Sequence, residues 1–195
     1  MGNVGTGFSM SLDGFIARPD GNPGPLFNWY FGGDTEVQYP GGMVVKVSSA
    51  SAPVIRELVQ STGALVVGRR HFDEANGWGG RHPIDRPVFV VSHRPAPDWL
   101  AAGSPFTFVT DGVASAIAQA KAVAGDRTVG VGGANVAQQA IKAGLIDEIS
   151  IDLVPILLGE GIRFFDHLGT DQIELERTQV SEAPGVTHLR FRVVK

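Results

Sequence analysis

Three short segments carry residue types that bind phosphate in many proteins. Gly68-Arg69-Arg70 and Ser92-His93-Arg94 each follow a short apolar run, and an arginine guanidinium forms paired hydrogen bonds with phosphate oxygens. The third segment, Gly132-Gly133-Ala134-Asn135-Val136, opens a helical pattern. Glycine lets a phosphate approach the backbone, and the first N–H groups of a helix are unpaired and carry the positive end of its dipole. The sequence therefore predicts a site for a phosphate-bearing ligand, although Gly68-Arg69-Arg70 alone fits a solvated basic turn equally well.

Two carboxylates are candidates for chemistry on a bound substrate. Asp13 lies in Ser11-Leu12-Asp13-Gly14, and Glu160 lies in Gly159-Glu160-Gly161. Either side chain can deliver a proton or hold a ring N–H, and burial beneath a substrate would raise the pKa as a proton donor requires. The structural alternatives stay open, because Asp-Gly within apolar residues is a turn signal and Glu160 fits a solvated turn.

The elements that position these residues alternate between strands and helices. Such alternation implies a mainly parallel sheet with both faces covered and ligands at the carboxyl ends of the strands. Each phosphate-binding segment follows a predicted strand, so we expect the three to converge. The predicted strands are Val4–Met10, Ala64–Val67, Val88–Val91, Phe106–Val109, Thr128–Val131 and an alternating run from Ile149.

Three helices are predicted from their apolar stripes and end signals. The first begins at Ser51 and Pro53 and stops at Gly63. The second is capped by Asp111 and closed by Gly125, and the third is capped by Asn135 and stopped by Gly144.

Two further regions complete the chain. Arg18–Ser49 contains several prolines and glycines and predicts a long loop. Its aromatic residues argue against disorder, and they anchor the loop to the core, bury a subunit contact or close over a flat ring. Ile173–Val180 and Thr187–Val194 predict an antiparallel hairpin around Ala183-Pro184-Gly185. The aromatic residues are Phe27, Trp29, Tyr30 and Phe31.

Length and composition restrict the function further. A chain of 195 residues predicts one domain over residues 1–195 with a full core. The net charge of −4 gives no broad basic surface for nucleic acid or an anionic membrane. The absence of cysteine excludes disulfides and thiolate chemistry and fits a reducing compartment. Because neither a secretory signal nor a run near 20 apolar residues is visible, we expect a soluble, cytoplasmic protein.

Several common site motifs are absent from the sequence. There is no G-x-x-x-x-G-K-[ST] loop and no G-x-S-x-G elbow, and the histidines lack the i, i+4 spacing of a helical zinc pair, so no metal site is predicted. A Rossmann dinucleotide site is the serious rival. Gly130-Val131-Gly132-Gly133 comes late in the chain, however, and Asn135-Val136 stands where the third glycine is required.

Four motifs together resemble a known superfamily. Ser11-Leu12-Asp13-Gly14, Val67-Gly68-Arg69-Arg70, Gly132-Gly133-Ala134 and Val154–Gly161 follow one another in the order found in dihydrofolate-reductase-like proteins. The sequence is most similar to the reductase domain of the bifunctional riboflavin-biosynthesis deaminase/reductase and its stand-alone bacterial relatives. The resemblance covers essentially the whole chain.

The resemblance implies a three-layer α/β fold with a mixed, mostly parallel sheet and a C-terminal antiparallel hairpin. It implies NADPH bound across the carboxyl edge of the sheet, and a homodimer. Asp13 lies in the segment that borders the nicotinamide and the substrate. The residues that the resemblance assigns to the cofactor are Gly68, Arg69, Arg70, Ser92, His93, Gly132, Gly133, Ala134, Asn135 and Val136. Arg94 follows His93 at the end of the same predicted strand and is assigned to the cofactor by that position.

The chain also departs from its relatives. Dihydrofolate reductases hold the pterin with an acidic residue near the start of the first long helix, whereas Ser51-Ala52-Pro53 contains no acid. We therefore expect weak or absent turnover of dihydrofolate. The sequence predicts an NADPH-dependent reductase of a small flat heterocycle or a conjugated C=N or C=C group. A nucleotide-binding protein without catalysis and a flavin-binding protein are the alternative hypotheses.

Overall fold

The structure is a computed structural model that describes residues 2–101 and 103–195. A short 3-10 segment covers Gly24–Tyr30, and Asn76–Gly80 is a left-handed turn. The α-helices are α1 (Ala52–Ser61), α2 (Arg69–Glu74), α3 (Val113–Ala124) and α4 (Ala134–Lys142). The strands are β1 (Val4–Ser11), β2 (Phe15–Ala17), β3 (Thr35–Gln38), β4 (Val44–Val47), β5 (Thr62–Gly68), β6 (Val88–Val91), β7 (Phe106–Val109), β8 (Thr128–Gly132), β9 (Glu148–Val154), β10 (Ile162–Arg163), β11 (Leu175–Ala183) and β12 (Val186–Val193).

One eight-stranded sheet forms the centre of the fold, in the order β11-β12-β9-β1-β8-β5-β6-β7. The six strands from β9 to β7 are parallel, whereas β12 is antiparallel to β9 and to β11. Ala183 pairs with Val186, so Pro184-Gly185 forms the two-residue turn of the terminal hairpin. The predicted mixed, mostly parallel sheet with a C-terminal antiparallel hairpin is confirmed.

The two faces of the sheet pack into two separate cores, which gives the predicted three layers. Successive residues of β5 divide between them: Ala64 and Val66 belong to the core beneath α3 and α4, and Leu65 and Val67 to the core beneath α1 and α2. This division follows from the period of two along a strand. Residues 64–67 of β5 and the whole of β6 are continuously apolar, as expected for parallel strands covered on both faces, whereas β1 and β9 carry polar residues between apolar ones.

The prediction that Arg18–Ser49 is a long loop is partly wrong. It contains the 3-10 segment Gly24–Tyr30 and the antiparallel pair β3 and β4. Val37, Val45 and Val47 are buried in the second core, so the prolines and glycines punctuate an ordered segment. The apolar–polar–apolar alternation Val45-Lys46-Val47 in β4 was the available sequence signal.

The aromatic residues of this segment divide into two kinds. Trp29 is buried, donates its Nε1–H to Ser9 Oγ at 3.0 Å and packs edge-on against His188. Phe27 and Phe31 are 41% and 62% exposed. Of the roles left open by the sequence, anchoring to the core is therefore the one that Trp29 performs.

The helix ends at Gly125 and Gly144 are as predicted. Gly144 has φ +67 and donates its N–H to Ile141 O at 3.0 Å, and Leu145 donates to Ala140 O at 3.0 Å. This pair of bonds is a Schellman motif, which satisfies carbonyl groups at the end of α4.

Two predicted helix ends are wrong. Gly63 lies within β5 instead of stopping α1, which ends at Ser61. A methyl group on Gly63 would lie 2.8 Å from the Cβ of Arg127 and 2.9 Å from that of Ala124, so glycine serves close packing there. Asp111 lies one position outside the N-cap of α3, because Gly112 occupies that position.

Candidate functional site

The three predicted phosphate-binding segments meet at the carboxyl ends of β8, β5 and β6, which are neighbours in the sheet. Val67 lies opposite Gly132, and Gly68 lies opposite Val91, the last residue of β6. A methyl group on Gly133 would lie only 3.6 Å from the backbone N of Gly68. The expected convergence is confirmed, and phosphate binding at this place stays a prediction.

The start of α4 has backbone donors that its own helix does not use. The first helical bond runs from Ala137 N–H to Gly133 O at 3.0 Å, so the N–H groups of residues 134–136 precede the ladder. The predicted cap by Asn135 is wrong: Gly133 is the N-cap, no side chain caps the helix, and Asn135 accepts a bond from Gln139. Because Gly133 has φ +89, only glycine adopts this conformation without strain. The helix therefore begins with uncapped donors at the positive end of its dipole.

Val136 differs from the rest of this segment. Its side chain is 4% exposed and belongs to the core beneath α4. A methyl group on Gly68 would approach its Cγ2 to 3.1 Å. Val136 is therefore able to serve a ligand only through its backbone N–H, and its side chain sets the contact between α4 and β5.

Arg69 is held firmly by the protein. Its Nε donates to Asp73 Oδ1 at 2.8 Å, and its Nη1 donates to Pro95 O at 2.8 Å and to Ser92 Oγ at 3.3 Å. The guanidinium also lies over the ring of Phe108 at 5.5 Å. With the side chain only 16% exposed, Arg69 forms an oriented cation at the edge of the sheet.

Ser92 shapes the turn after β6. Its buried hydroxyl accepts the N–H of Arg94 at 3.0 Å and donates to the carbonyl of the same residue at 2.8 Å. The Arg94 side chain is 69% exposed, and its Nη2 lies 3.2 Å from Asp73 Oδ2. Asp73 thus bridges two arginines that come from neighbouring strand ends.

Arg70 and His93 have fewer contacts with the protein. Arg70 forms an i, i+4 ion pair with Glu74 at 2.7 Å and is 64% exposed. His93 is exposed beside the Ser92 turn. An exposed ion pair of this kind contributes little to stability, so the Arg70 side chain is free to reorient toward a ligand. The His93 side chain is free to do so because it is exposed.

Asp13 fixes the turn that follows β9. Its carboxylate accepts Ser11 Oγ–H at 2.6 Å, Leu158 N–H at 3.1 Å and Gly159 N–H at 2.7 Å. The hydrogen bond from Ser11, followed by those from the two backbone groups, lowers the pKa of Asp13 to about 2. This shift is opposite to the raised pKa required of a proton donor, so the contacts support Asp13 as an ionised acceptor.

Glu160 lies on the surface close to this turn. It is exposed and lines a depression of about 430 Å³ together with Arg18, Pro25 and the segment 156–158. The depression joins the turn held by Asp13 to the start of the Gly24–Tyr30 segment. Glu160 and Asp13 are therefore brought to the same end of the sheet.

A buried hydrogen-bonded chain at this end of the sheet was missed by the sequence analysis. His188 on β12 is 2% exposed, and its Nδ1 lies 2.7 Å from Asp152 Oδ1 on β9. Its Nε2 lies 2.9 Å from Ser51 Oγ at the start of α1, and Ser48 Oγ donates to Ser51 Oγ at 3.1 Å. The arrangement resembles a hydrolytic triad, but Ser51 is 1% exposed, and its backbone N–H donates to Ser48 O. An occluded serine is not a nucleophile, so the chain ties α1 to the sheet.

A second missed group supports the glycine loop of β8 and α4. The ring of His71 would lie 3.4 Å from a methyl group on Gly132, and it packs against Trp78. Trp78 has φ +49 within a left-handed turn and also contacts His82. Burial lowers the pKa of His71, and burial together with the charge of His71 lowers that of His82 to about 4. Both imidazoles are therefore neutral near pH 7.

Comparison with known proteins identifies the family. The profile of the RibD C-terminal domain family matches residues 4–189, nearly the whole chain. The chain belongs to the RibD C-terminal domain family. The match includes every residue of the three predicted phosphate-binding segments, and it confirms the resemblance found in the sequence.

Individual relatives of this RibD C-terminal domain protein are distant. The uncharacterised protein YwjB of Bacillus subtilis (strain 168) is 25% identical over 169 residues, which cover 82% of this chain and 80% of YwjB. A protein from Shewanella sp. PV-4 that is named for riboflavin biosynthesis superposes with a TM-score of 0.75 at 23% identity, over 100% of both chains. Dihydrofolate reductase from Enterococcus faecalis, complexed with NADP(H) and RAB-propyl, gives 0.58 at 16% identity over 99% of this chain and 97% of that one. These neighbours confirm the dihydrofolate-reductase-like fold.

Across residues 2–101 and 103–195, no helix has the length and apolar character needed to cross a membrane.

The start of α1 in this chain carries Ser51, and the carboxylate that its chain of hydrogen bonds reaches belongs to Asp152 on β9. In the terminal hairpin, Leu189, Phe191 and Val193 alternate with His188, Arg190 and Arg192, and this alternation predicts that His188 lies on the polar face. Its burial follows from α1, which the local pattern of the hairpin does not contain.

Proposed function

We propose that this protein is an NADPH-dependent reductase that transfers a hydride to a small flat heterocycle or a conjugated C=N or C=C group. The observation that carries the proposal is the uncapped start of α4, which lies at the same strand ends as Arg69 and Arg94. Family membership supports a reductase of the riboflavin or folate type. The choice of NADPH and the flat substrate are the finer parts of the proposal.

The residues present fit the phosphates of this cofactor. The N–H groups of residues 134–136, opened by Gly133, suit the pyrophosphate because an anion there accepts otherwise unused donors. Arg69, Ser92 and Arg94 suit the phosphate on the adenosine ribose, which distinguishes NADPH from NADH. When bound, NADPH supplies the hydride, and the protein supplies orientation and electrostatic stabilisation.

The substrate end is assigned to the turn held by Asp13 and the depression beside it. Asp13 positions Leu158 and Gly159 and offers a fixed negative charge to a ring N–H. Because its pKa is about 2, Asp13 is not the proton donor of this proposal. That role falls to exposed Glu160 or to water.

The test is NADPH oxidation, followed by absorbance at the nicotinamide band, with a panel of pterins, pyrimidines and conjugated imines as acceptors. We expect at least one acceptor to be reduced, and dihydrofolate to be reduced slowly or not at all, because α1 begins without an acid. Tight NADPH binding without turnover of any acceptor would assign the fold to a non-catalytic nucleotide-binding role. A purified protein carrying a yellow chromophore would favour flavin binding instead.

We also propose a homodimer. Leu157 and Leu12 are 73% and 65% exposed, and their neighbourhood is fixed by the bond from Leu12 N–H to Ile156 O at 2.9 Å. Exposed apolar side chains grouped in this way commonly mark a protein contact. Light scattering at micromolar concentration should give twice the chain mass of 20.6 kDa, and a monomeric mass would contradict the proposal.

A further inference from the structure

We propose that Asp73 tunes the cofactor preference of this protein by competing with the ribose phosphate of NADPH for Arg69 and Arg94. The inference rests on the proposed function and adds a specificity-determining residue to it. Asp73 is not itself a phosphate ligand. Its carboxylate forms ion pairs with Arg69 and Arg94, the two cations that the phosphate requires.

The geometry places one carboxylate between two guanidinium groups. Asp73 Oδ1 lies 2.8 Å from Arg69 Nε, and Asp73 Oδ2 lies 3.2 Å from Arg94 Nη2. Both carboxylate oxygens are thus used, each by an arginine from a different strand end. The Asp73 side chain is 39% exposed and lies on α2, directly beside the proposed phosphate site.

Arg69 does not depend on Asp73 for its orientation. Its Nη1 donates to Pro95 O and to Ser92 Oγ, and its guanidinium lies over Phe108. The two hydrogen bonds use Nη1 and not Nε, and the contact with Phe108 uses the face of the guanidinium. Loss of the Asp73 charge therefore removes a competing anion from a cation that stays in place.

The electrostatic consequence differs between the two nicotinamide cofactors. A ribose phosphate carries nearly two negative charges and would share two arginines with the Asp73 carboxylate, so like charges would repel at short range. An unphosphorylated ribose has no such charge and is not opposed. Asp73 therefore weakens binding of the phosphorylated cofactor selectively and keeps the preference for NADPH below the value that two unpaired arginines would give.

The experiment titrates the wild-type protein and Asp73→Asn with adenosine 2′,5′-bisphosphate and with adenosine 5′-monophosphate, by calorimetry at fixed salt. We expect Asp73→Asn to bind the bisphosphate about 3- to 10-fold more tightly and the monophosphate with less than about a 2-fold change. The gain should shrink at high salt because the repulsion is screened. Unchanged or weaker bisphosphate binding, or an equal gain for both nucleotides, would overturn the inference.

Two control variants separate charge from other effects. Asp73→Glu keeps the charge and should bind both nucleotides like the wild type. Asp85→Asn removes an acid from a similar i, i+4 ion pair, with Arg81, before the amino end of β6, and should change neither affinity. A wild-type protein that binds neither nucleotide would refute the proposed function as well, whereas a clear bisphosphate preference that Asp73→Asn leaves unchanged would refute this inference alone.

Discussion

The carboxyl edge of the sheet has two regions that differ in whether their polar groups are hydrogen-bonded within the protein. At the ends of β8, β5 and β6, which we call the phosphate edge, α4 begins with uncapped N–H groups and several cationic side chains are exposed. At the ends of β1 and β9, which we call the carboxylate end, Asp13 and Asp152 already accept bonds from the protein. The phosphate edge has backbone N–H donors at the start of α4 that an anion can use. The carboxylate acceptors at the carboxylate end are already hydrogen-bonded within the protein.

The two regions therefore differ in the free energy that an unpaired polar group costs. Donors left to solvent at a helix start cost little while water reaches them, and they gain when an anion replaces that water. Buried groups such as His188 must be paired within the protein, because an unpaired buried polar group costs about 1–3 kcal/mol. Variants at the phosphate edge should therefore change ligand affinity, and variants at the carboxylate end should change stability.

The largest effect is expected from Gly133→Val. The new side chain would fill the space between the start of α4 and the backbone of Gly68, and it would block the pyrophosphate that both cofactors share. NADPH and NADH affinities should both fall at least about 100-fold, equivalent to about 2.7 kcal/mol. Titration by nicotinamide fluorescence measures both losses.

The control for this variant lies at the other end of the same helix. Gly144 also has a positive φ, of +67, with open space around it, so Gly144→Ala adds backbone strain to α4 without obstructing the phosphate edge. It should lower the melting temperature and leave both affinities unchanged. Equal losses of affinity in the two variants would show that strain in α4, and not blockage, is responsible.

At the carboxylate end, Ser51→Ala should reduce the free energy of unfolding by about 1–3 kcal/mol, because Nε2 of the buried His188 loses its partner. NADPH affinity should not change. Urea unfolding measures the first quantity and fluorescence titration the second. Ser48→Ala is the matched variant: Ser48 is half-buried, so water can replace its hydroxyl, and a loss below about 1 kcal/mol is expected. A fall in NADPH affinity with Ser51→Ala would erase the distinction between the two regions.

A smaller effect with a defined pH dependence is expected from Asp13→Asn. The pKa of Asp13 is about 2, below its usual 3.8, so its contribution to stability is fully present above about pH 4 and is lost as the pH falls through about 2. The urea midpoints of the wild type and the variant should therefore differ by a constant amount from pH 7 to pH 5 and should approach each other below pH 4. A difference that grows on acidification would contradict the ionised-acceptor role. With any true substrate, turnover should fall far more than NADPH affinity.

Much of the fold was readable from the sequence because its signals are local. The runs Val88–Val91 and Phe106–Val109 are strands with the predicted bounds, since buried parallel strands are continuously apolar. The Gly144 stop was readable because a positive φ at C′ favours glycine. Gly63 was misread because its glycine serves a contact with α3, which the local sequence does not contain.

The candidate site likewise contains features that the local sequence predicts and features that depend on packing between distant segments. The phosphate edge follows from residues placed directly after strands, so parallel topology alone brings them together. The chain through Ser51 and His188 joins residues 137 positions apart, and only the pairing of β12 with β9 places His188 opposite Asp152. The bridge that Asp73 makes between two arginines likewise depends on packing between elements.

The central claim is that the phosphate edge recognises the phosphate that distinguishes NADPH from NADH. Titrating the wild type and Arg69→Ala with both cofactors tests it most directly. One charge-assisted hydrogen bond contributes about 1.5–3 kcal/mol, so the variant should bind NADPH roughly 10- to 100-fold more weakly. NADH binding should be nearly unchanged, and the wild type should prefer NADPH. Equal losses for the two cofactors, or a wild-type preference for NADH, would contradict the account.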